Sequence, residues 1–318
     1  MDILAYFASL NPAQLISAMP GAISQGLIWG IMAIGVYITY KILDIADLTV
    51  DGSLCTGAAV CVMMMLAGFN VWISLLASVF AGMVTGFVTG VLHTLMGIPA
   101  ILAGILTQLG LWSVNLAIMG KSNQAISGTS LDLLVSLGNV KSTNPTENPV
   151  FIVAVFIVVI IAILYWFFGT ELGASLRSTG ANEHMSRAQG INTNLVKVLG
   201  LMLSNGLVAL SGALLAQYQG FSDINMGRGA IVIGLAAVII GGAVFGKIFN
   251  NFALKLVGVA LGSVIYYAVI QVVLWMKLDA NYLKLLSATI VAIFLAVPYW
   301  QKKYAQSHIK GGKKTCLK

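Results

Sequence analysis

The chain has 318 residues, of which 59% are hydrophobic and only 8% charged, with a formal net charge of +7. A soluble domain carries roughly 25% charged residues, so composition excludes a soluble globular protein and places the chain in a bilayer. The basic excess does not point to nucleic acid. Six lysines fall in the tail QKKYAQSHIKGGKKTCLK, directly after an apolar run, which is the pattern of a cytoplasmic end facing anionic lipid.

The opening segment, residues 1–19, lacks a basic stretch and a small-residue cleavage site, so no removable signal peptide is expected; it reads as an outer-face segment lying along the interface. A membrane span needs about 20 mostly apolar residues. Nine runs qualify: 20–40, 52–69, 72–94, 100–119, 150–168, 195–216, 230–246, 254–276 and 285–301. The expected fold is therefore all-α: one polytopic membrane domain over 20–301, followed by a basic tail, 302–318. Alternating segments of about ten residues, which a barrel requires, are absent from the sequence. Cys55 and Cys61 sit in an apolar span and read as packing residues; with Cys316 they form no metal spacing.

An odd number of spans puts the termini on opposite sides. With the lysine-rich tail inside, the N-terminus lies outside, and the loops at 41–51, 95–99, 169–194 and 247–253 face the cytoplasm. Lys41, Arg177, Arg187, Lys197, Lys247 and Lys255 fall on that side, against Lys121, Lys141, Arg228, Lys277 and Lys284 outside, a small bias in the expected direction. The outer loop, 120–149, is polar with an amphipathic stretch, SLDLLVSL; it reads either as a solvated connector or as a surface presented to an external partner.

Asp47-Leu48-Thr49-Val50 leads into the second span, and Asp223-Ile224-Asn225-Met226 into the seventh. The span after each carries glycines at four-residue spacing: Gly82, Gly86 and Gly90, then Gly258 and Gly262. Such rows let helix backbones approach closely in lipid. Similar signals entering from opposite faces are the mark of an inverted repeat.

None of the 17 basic and 10 acidic side chains is expected in the middle of a span. Ion-coupled carriers usually keep such groups at membrane depth, so an external energy source is favoured. His93, at the inner end of the third span, is either a structural group or a relay. The run GGAVFGKI, Gly241 to Ile248, spells a phosphate-loop pattern, but no Ser or Thr follows the lysine and a membrane helix precedes it. No nucleophile–base or metal-ligand constellation is present in the sequence. Gln108, Asn115, Asn205 and Gln217 are polar groups in or beside spans; they line a pathway or make interhelical hydrogen bonds.

One polar segment interrupts the grease: RSTGANEHMSRAQGINTN, Arg177 to Asn194. Asn182 can cap a helix, Glu183 then sits in the first turn, and Glu183 and Arg187 are four apart in the favoured order. Gly190 can take the left-handed conformation that ends a helix. Glu183 to Gln189 therefore reads as about two turns, too short to be stable alone in water. Met185 and Ala188, with His184 beside them, offer a face to bury against a partner or against headgroups.

The spacing Gly180-x-Asn182-Glu183, Arg187, Gly190-Ile191-Asn192 resembles the cytoplasmic coupling loop of ABC-importer permeases of the branched-chain amino acid and ribose type. DLTVDGS, Asp47 to Ser53, resembles the run before their second core helix. HTLMGIPAILAGILT, His93 to Thr107, looks like their segment containing Ile-Pro. LSNGLVALSGALLAQYQGFSDINMG, Leu203 to Gly227, is similar to a subgroup paired with binding lipoproteins for amino acids of the tryptophan or tyrosine type. The likeness runs from Gln25 to Pro298. It departs at His184 and Met185, where many relatives carry paired alanines, and at Asp51, an extra acid.

The resemblance implies a permease subunit in the bacterial inner membrane, working as a homodimer. Two ABC ATPase subunits would grip the coupling residues Gly180, Asn182, Glu183, His184, Met185, Arg187, Ala188 and Gly190, and would hold the ATP and magnesium, with no cofactor or catalysis in this chain. An extracytoplasmic binding lipoprotein would deliver the solute. A stand-alone carrier or channel, and a scaffold without transport, are the competing readings.

Overall fold

The computed structural model describes residues 12–276, except 127–132, 143, 145–146 and 247, together with six isolated positions between 285 and 296. The expected span 285–301, the tail and residues 1–11 lie largely or wholly outside the described residues.

Eight of the expected spans are helices. They are α1 (Pro12–Tyr37, extended by a π-helical turn, Ile38–Ile42), α2 (Val50–Leu66), α3 (Val71–Thr94), α4 (Ala100–Met119), α5 (Pro149–Gly169), α8 (Thr193–Gln219), α9 (Ala230–Phe245) and α10 (Phe252–Trp275). Two further helices, α6 (Glu171–Ala181) and α7 (Glu183–Ala188), fill the polar segment between α5 and α8. Among the described residues, six helices are long and apolar enough to cross a bilayer, while α2 and α9, with 17 and 16 residues, are shorter. Residues 12–19 are helical and continuous with α1.

Burial sorts the helices. From Ile28 to Val36 α1 is buried all round, and so is the C-terminal half of α8; a helix apolar on every side belongs inside a bundle. By contrast, α3, α4 and α5 turn large apolar residues outward, among them Phe80, Leu102, Leu109 and Val158. That is the surface a lipid solvent requires.

The packing has an internal symmetry. The two broadest helix contacts are α3 on α8 and α10 on α1. They exchange if α1–α2–α3 is traded for α8–α9–α10. So do α2 on α8 and α9 on α1, whereas the α1–α8 and α2–α9 contacts map onto themselves. An inverted repeat produces this pattern, as the sequence echo suggested. The glycine rows sit at seams. A side chain at Gly82 or Gly86 would fall on the backbone of α8 at Asn205 or Leu201, and one at Gly90 would meet Val198 at 3.0 Å. In α10, Gly262 abuts the Ala237 carbonyl of α9, and Gly258 faces the Phe249 ring.

At one end of the bundle, β1 (Asn123–Ala125) pairs antiparallel with β2 (Phe221–Asp223), tying the 120–148 connection to the 220–229 connection. Leu134 of the same connection donates its N–H to Gln217 Oε1 at 3.2 Å, and Val135 is fully buried. The described part of the loop therefore folds back on the bundle. At the other end lie the π-helical turn, α6, α7 and the 95–99 turn. There His93 Nδ1 bonds the Ile98 carbonyl at 2.9 Å, a structural role.

Asp47 lies in the connection between α1 and α2, as expected, yet it is 2% exposed and enclosed by the helices. Its carboxylate accepts from Thr49 N at 2.9 Å and from Asn205 Nδ2 at 2.7 Å. Ser53 Oγ donates to Asn205 Oδ1 at 2.6 Å and lies 2.7 Å from Thr85 Oγ1. Thr49, Thr89 and Thr107 continue the network into α3 and α4. A buried carboxylate is tolerated only when its lone pairs are occupied, and this one is held from two sides.

Candidate functional site: a capped helix at one end and a polar cavity within

The short helix forms as its punctuation dictates. Asn182 caps α7 by accepting from Met185 N at 3.0 Å. Gly190 takes φ +85, and Asn192 then caps α8 through Leu195 N at 3.2 Å. Glu183 is the hub. It pairs with Arg187 at 2.9 Å and with Lys197, one turn into α8, at 2.7 Å. Thr193 Oγ1 accepts from Arg187 at 3.0 Å and donates to Glu183 at 3.4 Å. The hydrogen bond from Lys197, with help from Arg187, holds the Glu183 carboxyl below its usual range.

The apolar face expected on α7 is not buried within this chain. Met185 is 59% exposed, and His184 and Ala188 are exposed with it, while Ser186 is the residue that packs inward. The helix is thus fixed along one side and bare on the other.

α6 was not foreseen as a helix, because its sequence, ELGASLRSTGA, is polar and carries two glycines. The available signal was local: Thr170 caps it through Gly173 N at 3.4 Å, and Glu171 sits in its first turn. Its glycines serve close approach. A Cβ on Gly180 would fall on the Ile42 carbonyl oxygen, and one on Gly173 would strike the backbone at Phe167 and Phe168. Arg177 donates to the Phe168 carbonyl, with its guanidinium about 6.0 Å from the Phe168 ring and 5.9 Å from the Phe252 ring. The α6–α7 unit is therefore fastened to the ends of α1, α5, α8 and α10.

The four polar positions expected along a pathway separate. Asn205 belongs to the Asp47 network, and Gln217 bonds Leu134 N and Cys61 Sγ; both are interhelical stitches. Gln108 and Asn115 instead line a cavity of about 230 Å³ between α2, α4 and the turn before α9. Asp51, Trp112 and Arg228 line it too. The sequence reading placed Asp51 at a loop end and Arg228 in an outer connection. The fold joins them because the N-termini of the two short helices converge. Asp51 accepts from Gly229 N and Ile231 N, both at 2.9 Å, so an acid near the start of α2 caps α9.

Among the described residues, no group of His, Cys, Asp and Glu could hold a metal ion. The arrangement offers an end-mounted lever and a partly polar cavity in a membrane body, which are parts for moving a solute.

Comparison with known proteins agrees. Residues 19–297 match the family model described as branched-chain amino acid transport system / permease component. A tyrosine transport system permease protein of Clostridioides difficile is 39% identical over 281 residues, covering 88% of this chain and 91% of that one. The LsrC autoinducer 2 import system permease of Salmonella typhimurium is 28% identical over 69% of this chain and 61% of its own. Among solved structures, PsaBC from Streptococcus pneumoniae, in complex with Fab, shares the fold: its TM-score is 0.51 at 18% identity, covering 89% of this chain and 95% of that one. The chain belongs to the branched-chain amino acid transport system permease family and is a membrane-spanning permease component of an ATP-binding-cassette transporter.

Proposed function

We propose that this chain forms, as a homodimer in the bacterial inner membrane, the pathway of an importer for amino acids, with aromatic ones such as tyrosine the leading candidates. The α6–α7 end faces the cytoplasm and the C-terminal tail lies on the same side. Two ATPase subunits hold the nucleotide and magnesium and grip α7; this chain performs no catalysis. A binding lipoprotein delivers the solute at the β1–β2 end. The 39% identity to a tyrosine transport permease supports the substrate class.

One observation carries the mechanism. α7 is capped at both ends and ion-paired to α8 through Glu183 and Lys197, yet its Met185 side is bare. A helix this short is marginal alone, so its rigidity comes from its attachments. Closure of the ATPases on ATP would draw two such helices together. Motion of α7 then passes to α8 through Lys197, to α1 through the Gly180–Ile42 contact, and to α5 and α10 through Arg177. A scaffold would need none of these attachments.

The test is ATP hydrolysis in proteoliposomes holding the permease, the ATPase and the binding protein. Arg187→Glu places two acids on adjacent turns and breaks the bonds to Glu183 and Thr193. Met185→Arg alters only the bare face. Both variants are expected to insert normally and to lose the hydrolysis stimulated by the loaded binding protein. Wild-type stimulation in both contradicts the coupling role.

A further inference from the structure

The cavity beside α4 brings groups of opposite charge to one wall. Its wall carries one carboxylate, Asp51, and one guanidinium, Arg228. They are not paired: the two ion pairs among the described residues both belong to Glu183. Gln108 and Asn115 add two amides. Asn115 is 1% exposed; its Nδ2 reaches the Gly52 carbonyl only at 3.5 Å, and its Oδ1 has no partner. A buried acceptor without a donor is destabilising, so a ligand that donates to it relieves that strain on the fold. Trp112 stands at the rim, 46% exposed.

Position strengthens the case. The cavity opens beside the outward face of α4, next to Leu109 and Trp112. Charged groups do not face hydrocarbon; within a membrane they line a water-filled passage or meet another protein surface. Its size is below the roughly 300 Å³ at which drug-sized pockets begin, which suits a small solute.

We propose that this cavity is a binding site within the pathway for the zwitterionic head of a neutral amino acid. The ammonium group is held by Asp51 and by Asn115 Oδ1. The carboxylate is held by Arg228, with Gln108 donating its amide N–H. An aromatic or aliphatic side chain lies along the Trp112 ring. Opposite charges on one small wall match a zwitterion, whereas a sugar needs no charged partner and a divalent cation would be repelled by Arg228. Asp51 keeps its two backbone N–H bonds throughout, which fixes the carboxylate without neutralising it. The site assignment rests on the importer reading above and adds the chemistry of its passage.

The experiment uses the permease–ATPase complex in nanodiscs without the binding protein. Binding of labelled L-tyrosine, L-tryptophan and L-leucine is measured, and tyramine and 3-(4-hydroxyphenyl)propionate compete against tyrosine. The first competitor lacks the carboxylate and the second lacks the ammonium. The intact amino acid is expected to compete at least tenfold better than either. Arg228→Gln is expected to weaken tyrosine at least tenfold while leaving tyramine unchanged, and Asn115→Ala to weaken tyrosine and tyramine alike but not the propionate. Absence of binding by all three amino acids, equal competition by the three tyrosine analogues, or wild-type affinity in both variants would overturn the site. ATP-driven uptake by the wild-type complex, measured in parallel with the binding protein restored, judges the importer reading separately.

Discussion

At the scale of single residues, steric contact decides more than charge does. Glycine at position 57 lets α2 lie on the Ala209 carbonyl of α8, and glycine at 212 lets α8 lie on the Leu54 carbonyl of α2. Neither backbone can retreat, since both helices are buried at that seam. Gly57→Leu is therefore expected to cost several kcal/mol, beyond the roughly 1–3 kcal/mol of ordinary overpacking. Gly110→Leu, on α4 with open space around it, is expected to be near neutral. Thermal unfolding of the two purified variants, each compared with wild type, checks this; equal loss in both would remove the seam argument. The sequence displayed the glycine rows of α3 and α10 because their spacing is regular. It hid Gly57 and Gly212, whose neighbouring glycines on their helices are not at four-residue spacing, and it hid the role of Asp51, whose hydrogen-bond partners are about 180 residues away in sequence.

At the scale of elements, local punctuation was the most readable signal. Asn182, Gly190 and the Glu183–Arg187 pair mark α7 in the sequence, and the helix ends one residue short of expectation, at Ala188. α6 reads as loop because ELGASLRSTGA is polar with two glycines; Thr170 and Glu171 mark its start locally, while its fastening at Gly180 to Ile42 lies far back in the chain, outside any short window. The sequence also could not show that Glu183 has a second cation, Lys197, in another helix. That pair gives a pH dependence. Partner cations, Lys197 first, hold the Glu183 carboxyl below its usual range, so the attachment of α7 to α8 is intact at neutral pH and is lost as pH falls through that lowered range. Over that interval the protection of the α7 amides, with exchange rates corrected for their intrinsic pH dependence, is expected to fall in wild type. In Glu183→Gln protection is expected to be low and independent of pH. An unchanged profile in the variant would mean the ion pairs do not hold the helix, as is common for exposed pairs.

At the scale of the whole molecule, the body is a pair of interlocked three-helix units with a lever at one end. Composition alone set the membrane class, because 8% charge cannot clothe a soluble surface of this size. The repeat was legible as a faint echo at Asp47 and Asp223. The fold supplies what the echo could not: the exchange of α3–α8 for α10–α1, and the meeting of α2 and α9 at the cavity. Polar residues in spans proved ambiguous in sequence for a physical reason. Asn205 and Gln217 satisfy their hydrogen bonds within the bundle, whereas Asn115 leaves an acceptor open, and only three-dimensional neighbours distinguish the two cases.

The most direct measurement places a photo-crosslinking side chain at position 185, on the bare side of α7, in the complex assembled in native membranes. The account predicts an adduct with the soluble ATPase subunit whose yield changes when ATP is bound. Reaction of position 185 only with lipid or with an external protein, while the ATPase remains bound elsewhere, would contradict it.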